Sequence, residues 1–183
     1  MSQLNEQLFD FLFRIGHANA LTESIVVFFA EYLPYLLLIW CVWFLFVSHK
    51  DWRARLTLLG EGILVLIFAR GVVVSIIHYF YPTPRPYLVL GLEPLVIASS
   101  SSFPSSHATI LFAIGVTLFY FRKRLGLLFL GAAFLNALAR VASGVHWPID
   151  IIGGAGLGII VGIIVHAMLV PSWVKLLERE RST

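Results

Sequence analysis

Residues 150–170 read DIIGGAGLGIIVGIIVHAMLV and include no lysine, arginine or glutamate. About 20 mostly apolar residues in a row are enough to cross the hydrocarbon core of a bilayer as a helix. Gly154, Gly158 and Gly162 recur every four residues, which places them on one face and lets a neighbouring helix approach closely. This stretch therefore predicts a membrane-spanning helix that packs tightly against another helix.

Four further apolar stretches accompany it in a chain of 183 residues, of which 59% are hydrophobic and only 13% are charged. A soluble domain of this length could not bury so much apolar surface. The basic residues are spread over short loops, which does not favour nucleic-acid binding. We therefore expect an all-α integral membrane protein, a single membrane-embedded domain over residues 1–183. The predicted transmembrane helices are residues 24–48, 56–80, 106–121, 125–142 and 150–170.

The N-terminal segment, residues 3–18, mixes apolar side chains with Glu6, Asp10 and Arg14. This pattern predicts an amphipathic helix that lies in the membrane interface beside the bundle of about five transmembrane helices. A short sixth span in this segment is the alternative.

The basic residues predict the orientation of the bundle. If five spans alternate, nine of the 13 Lys and Arg residues fall on one side, and the positive-inside rule assigns that side to the cytoplasm. The loops at residues 81–103 and 143–148 then face outward. The nine residues are Lys50, Arg53, Arg55, Arg122, Lys123, Arg124, Lys175, Arg179 and Arg181.

Three short motifs gather ionisable and hydroxyl side chains on the predicted outer side, each at the end of an apolar stretch. They are His78-x6-Arg85-Pro86, Pro104-Ser105-Ser106-His107 and Arg140-x5-His146-x3-Asp150. Their shared position indicates that they form one site.

Two features of these motifs suit a phosphate group. A helix that begins at Ser105 would point unpaired N–H groups at an anion, although a serine there is also an ordinary N-cap. Arg85 and Arg140 offer forked donors that match phosphate oxygens. The proline-rich segment around Arg85 is equally compatible with a rigid loop that binds lipid headgroups.

The third motif has the spacing of a catalytic pair. Pro148 favours the first helical position, so His146 would lie at the helix start and Asp150 in its first turn. There the carboxylate can orient the imidazole, so that the other ring nitrogen acts as a nucleophile or base. A lone histidine at a membrane interface is more often structural, but this one is accompanied by Asp150 and Arg140.

The motifs predict phosphoryl transfer without a metal or another cofactor. Carboxylates are scarce on the outer side, whereas Mg²⁺ needs clustered oxygen ligands. His78, His107 and His146 could suggest zinc, but two arginines in the same motifs would repel a cation. Arginine charge, hydroxyl groups and helix N–H groups would instead stabilise the transferring phosphoryl group.

The remaining polar residues are expected to have structural roles. Residues 98–102, ASSSS, are interpreted as a polar connecting loop. Glu31 and Arg70 lie at similar depths in the first two spans, so we expect them to form an ion pair or share a polar network beneath the site. His166 lies far below the motifs, and we expect an ordinary packing role for it.

The three motifs resemble the pattern of the type 2 phosphatidic acid phosphatase superfamily, which also contains vanadate haloperoxidases and bacterial acid phosphatases. That pattern is Lys-x6-Arg-Pro, then Pro-Ser-Gly-His, then Ser-Arg-x5-His-x3-Asp, and its spacings match within residues 56–170. Here His78 replaces the lysine, Ser106 the glycine and Ala139 the serine. The charge of His78 would therefore depend on pH, and Ala139 lacks a hydroxyl group that could contact phosphate.

The resemblance implies a role for each residue. His146 would be the nucleophile that forms a phospho-histidine, Asp150 would orient it, and His107 would protonate the leaving group. The phosphate-binding residues would be Arg85, Arg140, Ser105, Ser106 and His78.

Within this superfamily the chain is most similar to the bacterial undecaprenyl-diphosphate phosphatases, which recycle the lipid carrier of cell-wall synthesis at the outer leaflet of the cell membrane. The implied activity is hydrolysis of undecaprenyl diphosphate, with phosphatidylglycerol phosphate or phosphatidate as the alternative substrates. A phospholipid-binding or flipping protein without hydrolysis would leave the set His107, His146 and Asp150 without a purpose. An intramembrane structural subunit would leave Arg85 and Arg140 unexplained.

Overall fold

The computed structural model describes residues 2–48 and 52–181, and its regular structure in these ranges is entirely helical. Two π-helical segments, π1 (Phe28–Tyr32) and π2 (Ile67–Val74), each join two α-helices into one longer rod. The α-helices are α1 (Gln3–Gly16), α2 (Ala20–Val27), α3 (Leu33–Ser48), α4 (Trp52–Leu66), α5 (Ser75–Phe80), α6 (Pro86–Leu90), α7 (Ser106–Phe121), α8 (Lys123–Ala142) and α9 (Pro148–Arg181).

Four helical stretches are long and apolar enough to cross a membrane: Ala20–Val47, Leu58–Phe80, Lys123–Ala142 and Pro148–Leu169. They match the first, second, fourth and fifth predicted spans. The third, α7, is apolar but has only 16 residues, or about 24 Å at 1.5 Å per residue. The predicted all-α membrane fold is confirmed, and the chain is a multi-pass membrane protein.

Helix α7 lies at the centre of the bundle and packs most extensively against α9 and α8. Half of its residues are buried, so protein rather than lipid surrounds it and its length need not match the bilayer. Its core side chains Leu111, Ala113 and Ile114 meet Phe129 of α8 and Val161 of α9 in one apolar cluster.

The glycine face of α9 makes this close packing possible. A Cβ atom at Gly154 would lie 2.7 Å from the Ser105 carbonyl oxygen, and one at Gly162 would lie 2.9 Å from the Ala113 carbonyl oxygen. At Gly158 a Cβ atom would overlap the carbonyl oxygen of Thr109. The predicted packing role of the three glycines is confirmed.

The rods alternate in direction, so the loops at residues 81–105 and 143–147 lie at the same end of the bundle as α1. This end is called the motif end below. Arg122 lies at the opposite end, in the turn between α7 and α8. Of the predicted cytoplasmic residues, Lys50 lies outside the described residues, as do the side chains of Arg53, Lys175, Arg179 and Arg181.

Helix α1 covers part of the motif end. Phe9 is fully buried and its ring centroid lies 5.0 Å from that of Trp147. Asn5 Oδ1 accepts a hydrogen bond of 3.0 Å from the backbone N–H of Ile149. The predicted amphipathic helix is confirmed, and its 14 residues are too few for a sixth span. Its location in the membrane interface stays a prediction.

The glycine interface predicts the effect of a single methyl group. Gly158→Ala should lower the free energy of unfolding by about 1–3 kcal/mol, because the added methyl group would overlap the Thr109 carbonyl oxygen. Gly156→Ala is the matched control on the same helix, since a Cβ atom there meets nothing within 4 Å. Thermal unfolding of the two variants in detergent tests the difference, and equal melting temperatures would contradict it.

Candidate active site

The carboxylate of Asp150 organises the start of α9. Asp150 Oδ2 accepts hydrogen bonds from Ser102 Oγ at 2.5 Å and from the backbone N–H of Trp147 at 2.8 Å. The same oxygen lies 3.5 Å from His146 Nδ1, and both side chains are almost fully buried. The structure thus places Asp150 beside His146 as the sequence predicts, with Ser102 as a further partner of the carboxylate.

Arg85 fixes the protonation pattern of the His146 ring. Arg85 Nη1 lies 3.3 Å from His146 Nε2. A guanidinium group can only donate, so Nε2 must be the acceptor and carries no proton. The proton of a neutral ring is then on Nδ1, which faces Asp150. This tautomer leaves a lone pair on Nε2, next to a cation.

The buried position of His146 favours the neutral ring. Burial, reinforced by the positive charges of Arg140 and Arg85, lowers the pKa of the His146 imidazole well below its usual range. The ring is therefore unprotonated on Nε2 at neutral pH and below. A neutral imidazole nitrogen is the form that can act as a nucleophile.

The interpretation of residues 98–102 as a mere connecting loop is wrong. Arg85 donates to the Ser100 carbonyl oxygen (2.8 Å), to Ser100 Oγ (3.1 Å) and to the Ser101 carbonyl oxygen (3.2 Å). Ser101 Oγ accepts from the backbone N–H of Thr83 at 2.9 Å. Together with Ser102, this serine run holds both the arginine and the carboxylate that contact His146.

Arg85 also reaches the loop before α9. Its Nη1 donates to the Val145 carbonyl oxygen at 2.7 Å. With the bonds to the serine run and to His146, five contacts use as many N–H groups as a guanidinium has. Arg85 therefore ties three segments of the motif end together while its charge remains against the His146 ring.

Arg140 is buried and incompletely paired. Its Nη1 donates to the Ala30 carbonyl oxygen at 3.3 Å, whereas its Nε has no hydrogen-bond partner. A buried donor without a partner is costly, and an anion would satisfy it. The guanidinium is close enough to His146 and His107 to act electrostatically on both rings. Arg140 is thus positioned to bind an anion between them.

Asn136, which the sequence analysis did not single out, supports Arg140 from one turn below. Its Nδ2 donates to the carbonyl oxygens of Phe29 (2.7 Å) and Ala30 (3.1 Å) in π1. The wider turn of a π-helix alters the regular pairing of carbonyl oxygens, and side chains of a neighbouring helix can then reach them. The i, i+4 spacing of Asn136 and Arg140 was the available signal, because it places both on one helix face.

The Pro104–His107 motif forms the start of α7. Ser105 is the N-cap: its Oγ accepts from the backbone N–H of Ala108, and its own N–H donates to the Asp150 carbonyl oxygen at 3.1 Å. Ser106 is the first residue of the helix, and its N–H group is among those at the open end. His107 follows in the first turn, half-buried, and its side chain makes no hydrogen bond to the part of the chain that the structure describes.

His78 stands where the sequence pattern has a lysine, and its Nε2 donates to the Pro104 carbonyl oxygen at 3.0 Å. That bond fixes the ring against the start of α7. Only Nδ1 is then available for another partner. His78 therefore contacts the site through the loop that carries Ser105.

The predicted ion pair between Glu31 and Arg70 is wrong. Within residues 2–48 and 52–181, Arg70 pairs with no carboxylate; its Nη1 lies 3.5 Å from Ser75 Oγ. Glu31 instead lies near enough to Arg140 to stabilise its positive charge. Equal depth in two spans did not bring the side chains together, since depth leaves the direction around each helix axis undetermined.

His166 packs in the half of the bundle away from the motif end, as expected. Its ring stacks on Tyr120 with centroids 4.1 Å apart, and its Nδ1 lies 3.1 Å from Glu61 Oε1. Glu61 is buried and was not predicted to have a role. His166 therefore makes a polar contact in addition to the packing role that the sequence suggested.

The assembled site brings anion-binding groups together with a neutral imidazole ring. It combines a neutral imidazole nitrogen, two guanidinium groups and the N–H groups at the start of α7. The described residues include no group of three or more His, Cys, Asp and Glu side chains placed to hold a metal ion. A phosphoryl group fits this set by charge and by donor geometry.

Comparison with known proteins agrees with this chemistry. The family model described as PAP2 superfamily matches residues 61–173. The bacitracin transport permease protein BcrC of Bacillus licheniformis is 30% identical over 168 residues, which cover 90% of this chain and 80% of that protein. The undecaprenyl-diphosphatase BcrC of Bacillus subtilis is 27% identical over 165 residues, which cover 88% and 82%. The crystal structure of LpxE from Aquifex aeolicus superposes with a TM-score of 0.74 and 28% identity, covering 90% of this chain and 95% of that one.

The contacts of Asn136 predict a loss of stability. Asn136→Leu should lower the free energy of unfolding by about 1–2 kcal/mol, because it removes interhelical donors from two π1 carbonyl oxygens. Thr117→Val is the control, since the Thr117 hydroxyl group bonds only within its own helix, to Ala113. Thermal unfolding in detergent measures both. A smaller effect at Asn136 than at Thr117 would contradict the assigned role.

Proposed function

The chain belongs to the PAP2 superfamily and is a membrane phosphatase, and we propose that its substrate is undecaprenyl diphosphate, which it hydrolyses to undecaprenyl phosphate. The observation that carries the proposal is the environment of His146 Nε2. This unprotonated nitrogen lies 3.3 Å from Arg85 Nη1, and Arg140, whose charge acts on the same ring, has a buried Nε without a hydrogen-bond partner. The arrangement suits attack on a phosphoryl group whose oxygens are held by two arginines.

In the first proposed step, His146 Nε2 attacks the terminal phosphorus of the diphosphate. The new N–P bond replaces the bond from that phosphorus to the bridging oxygen, and His107 donates a proton to this oxygen as undecaprenyl phosphate leaves. The N–H of Arg85 that donates to Nε2 in the free site then donates its hydrogen bond to a phosphoryl oxygen, and Arg85 keeps its proton. The phosphorylated ring becomes a cation, which the Asp150 carboxylate stabilises through Nδ1.

In the second proposed step, water attacks the phospho-histidine and His107 takes up the proton that the water loses. The N–P bond breaks, inorganic phosphate leaves, and His146 returns to its neutral form. Arg85 and Arg140 hold the phosphoryl oxygens through both steps, with the N–H group of Ser106 and the hydroxyls of Ser105 and Ser106. His78 would contribute through Nδ1, or by holding the start of α7 in place.

Two lines of support favour a polyprenyl diphosphate among lipid phosphates. One of the relatives is named an undecaprenyl-diphosphatase, and the match covers 82% of its length. In addition, the site lies at the end of an apolar bundle, where a lipid phosphate reaches it from the membrane. We further propose that this end faces outward from a bacterial inner membrane, because Arg122 and most other basic residues belong to the opposite end.

The proposed reaction predicts phosphate release that resists metal removal. Protein purified in detergent with EDTA should release phosphate from undecaprenyl diphosphate faster than from phosphatidate or phosphatidylglycerol phosphate. His146→Ala should reduce turnover by about 10³-fold or more, as expected for loss of a nucleophile. His17→Ala is the control, because His17 lies at the same end and its Nδ1 contacts Phe13 in α1. Loss of activity with EDTA, or substantial turnover without His146, would refute the mechanism.

The contact between Ser102 and Asp150 predicts a positioning effect on turnover. Ser102→Ala should lower kcat by about 10-fold with a smaller change in KM, because one hydrogen bond to a buried carboxylate is lost. Ser99→Ala is the matched control, since Ser99 is exposed and lies in the same serine run. Steady-state kinetics on undecaprenyl diphosphate separate the two constants. A change in KM alone would indicate that Ser102 acts on binding instead.

A further inference from the structure

Arg70 is a charged residue inside a membrane span that has no ionic partner in the described part of the chain. It lies ten residues before Phe80, the end of the Leu58–Phe80 span, and its side chain is exposed. The contact of its Nη1 with Ser75 Oγ, at 3.5 Å, is long and neutral. A charge at this depth is costly unless an anion accompanies it. Such an unpaired intramembrane charge points to a ligand.

The backbone around Arg70 is shaped to carry this side chain. Arg70 lies in the middle of π2, and Ser75 Oγ donates to the Arg70 carbonyl oxygen at 2.9 Å. An eight-residue π-helical stretch is rare, and such segments are frequent at functional sites. The wider turn changes the direction in which side chains leave the helix compared with a regular α-helix.

Arg70 lies on the side of the site where a leaving group would depart. Its Nη1 lies 3.5 Å from Ser75 Oγ, three residues before His78, and His78 Nε2 donates to the Pro104 carbonyl oxygen at the start of α7, the helix that carries His107. Arg85, by contrast, contacts His146 Nε2 directly. Arg70 therefore approaches the start of α7 from the rod that carries His78, away from the contact between Arg85 and His146.

The direction of a lipid diphosphate follows from this arrangement. Its terminal phosphate would be held between Arg85 and Arg140, and the bridging oxygen would face His107. The second phosphate, which carries the lipid chain, must then lie beyond His107. Arg70 is exposed on a span that borders the lipid, so it stands between the reacting phosphate and the apolar phase that receives the chain.

We propose that Arg70 binds the lipid-side phosphate of a diphosphate substrate and thereby favours lipid diphosphates over lipid monophosphates. The inference rests on the proposed function, since it assigns a subsite to the leaving half of the same substrate. A guanidinium group provides two parallel N–H donors for such a phosphate. A lipid monophosphate has no second phosphate for Arg70 to bind, so its hydrolysis does not depend on this residue.

The test compares two substrates that differ only in one phosphate, farnesyl diphosphate and farnesyl monophosphate, in detergent with EDTA. Arg70→Gln should lower kcat/KM for the diphosphate by about 10- to 100-fold and change that for the monophosphate by less than about threefold. Arg70→Lys keeps the charge without the fork and should give an intermediate loss. Arg122→Gln, at the opposite end of the bundle, is the control arginine.

Each outcome bears on the assignment. Equal losses on both substrates would overturn it, because Arg70 would then act on the reacting phosphate or on the fold. No loss on either would also overturn it and would leave Arg70 as an anchor for ordinary headgroup phosphates. If Arg70→Gln does not fold, Arg70→Lys must still show the diphosphate-selective loss. A wild-type protein inactive on every lipid phosphate would instead refute the proposed function, which separates the two failures.

Discussion

The contacts of Asp150 are the constraint on which the rest of the motif end depends. Its carboxylate receives hydrogen bonds from Ser102 and from the start of its own helix, and its carbonyl oxygen receives one from Ser105. One residue thus joins α9, the serine run and the N-cap of α7 around His146. In a buried setting such a network is strong when complete and costly when a member is missing. The position of His146, the proposed nucleophile, is therefore determined by packing as much as by its own loop.

The glycine face of α9 is what allows these contacts to form. Gly154 lies one turn after Asp150 and directly against the Ser105 carbonyl oxygen, so α7 and α9 meet at the site itself. A larger side chain there would separate the two helix starts and lengthen the bond from Ser105 to Asp150. Membrane helices gain little from apolar contact alone, and close backbone approach is a main source of their association. Here the same approach also assembles the site.

Sequence reasoning predicted those features that depend on spacing along one helix. Four of the five predicted spans follow from hydropathy, and the His146–Asp150 proximity follows from the spacing of the two residues at a helix start; the structure has both. Sequence reasoning failed where the contacts depend on how separate segments of the chain are oriented relative to one another. The serine run looks like a solvated loop by composition, but the folded chain brings it over Arg85. The predicted partner of Glu31 was wrong because the π-helical turns change the directions in which side chains leave the helix. No residue pattern in the sequence predicts these turns.

Arg85, Arg140 and Arg70 differ in how many of their N–H donors have acceptors in the protein. This difference indicates a different function for each of them. Arg85 uses all its donors on the protein, so it positions other groups and needs to release only the contact with His146 when a phosphoryl group binds. Arg140 is buried with one donor unpaired, a donor that the proposed function assigns to the phosphoryl group. Arg70 is exposed toward the lipid with a single neutral contact. A lipid substrate that arrives from the membrane would meet these cations in the reverse order, and each successive arginine would require more rearrangement of the protein. A charged arginine inside the bilayer is thus tolerated to the extent that the protein or the substrate supplies acceptors for its N–H donors.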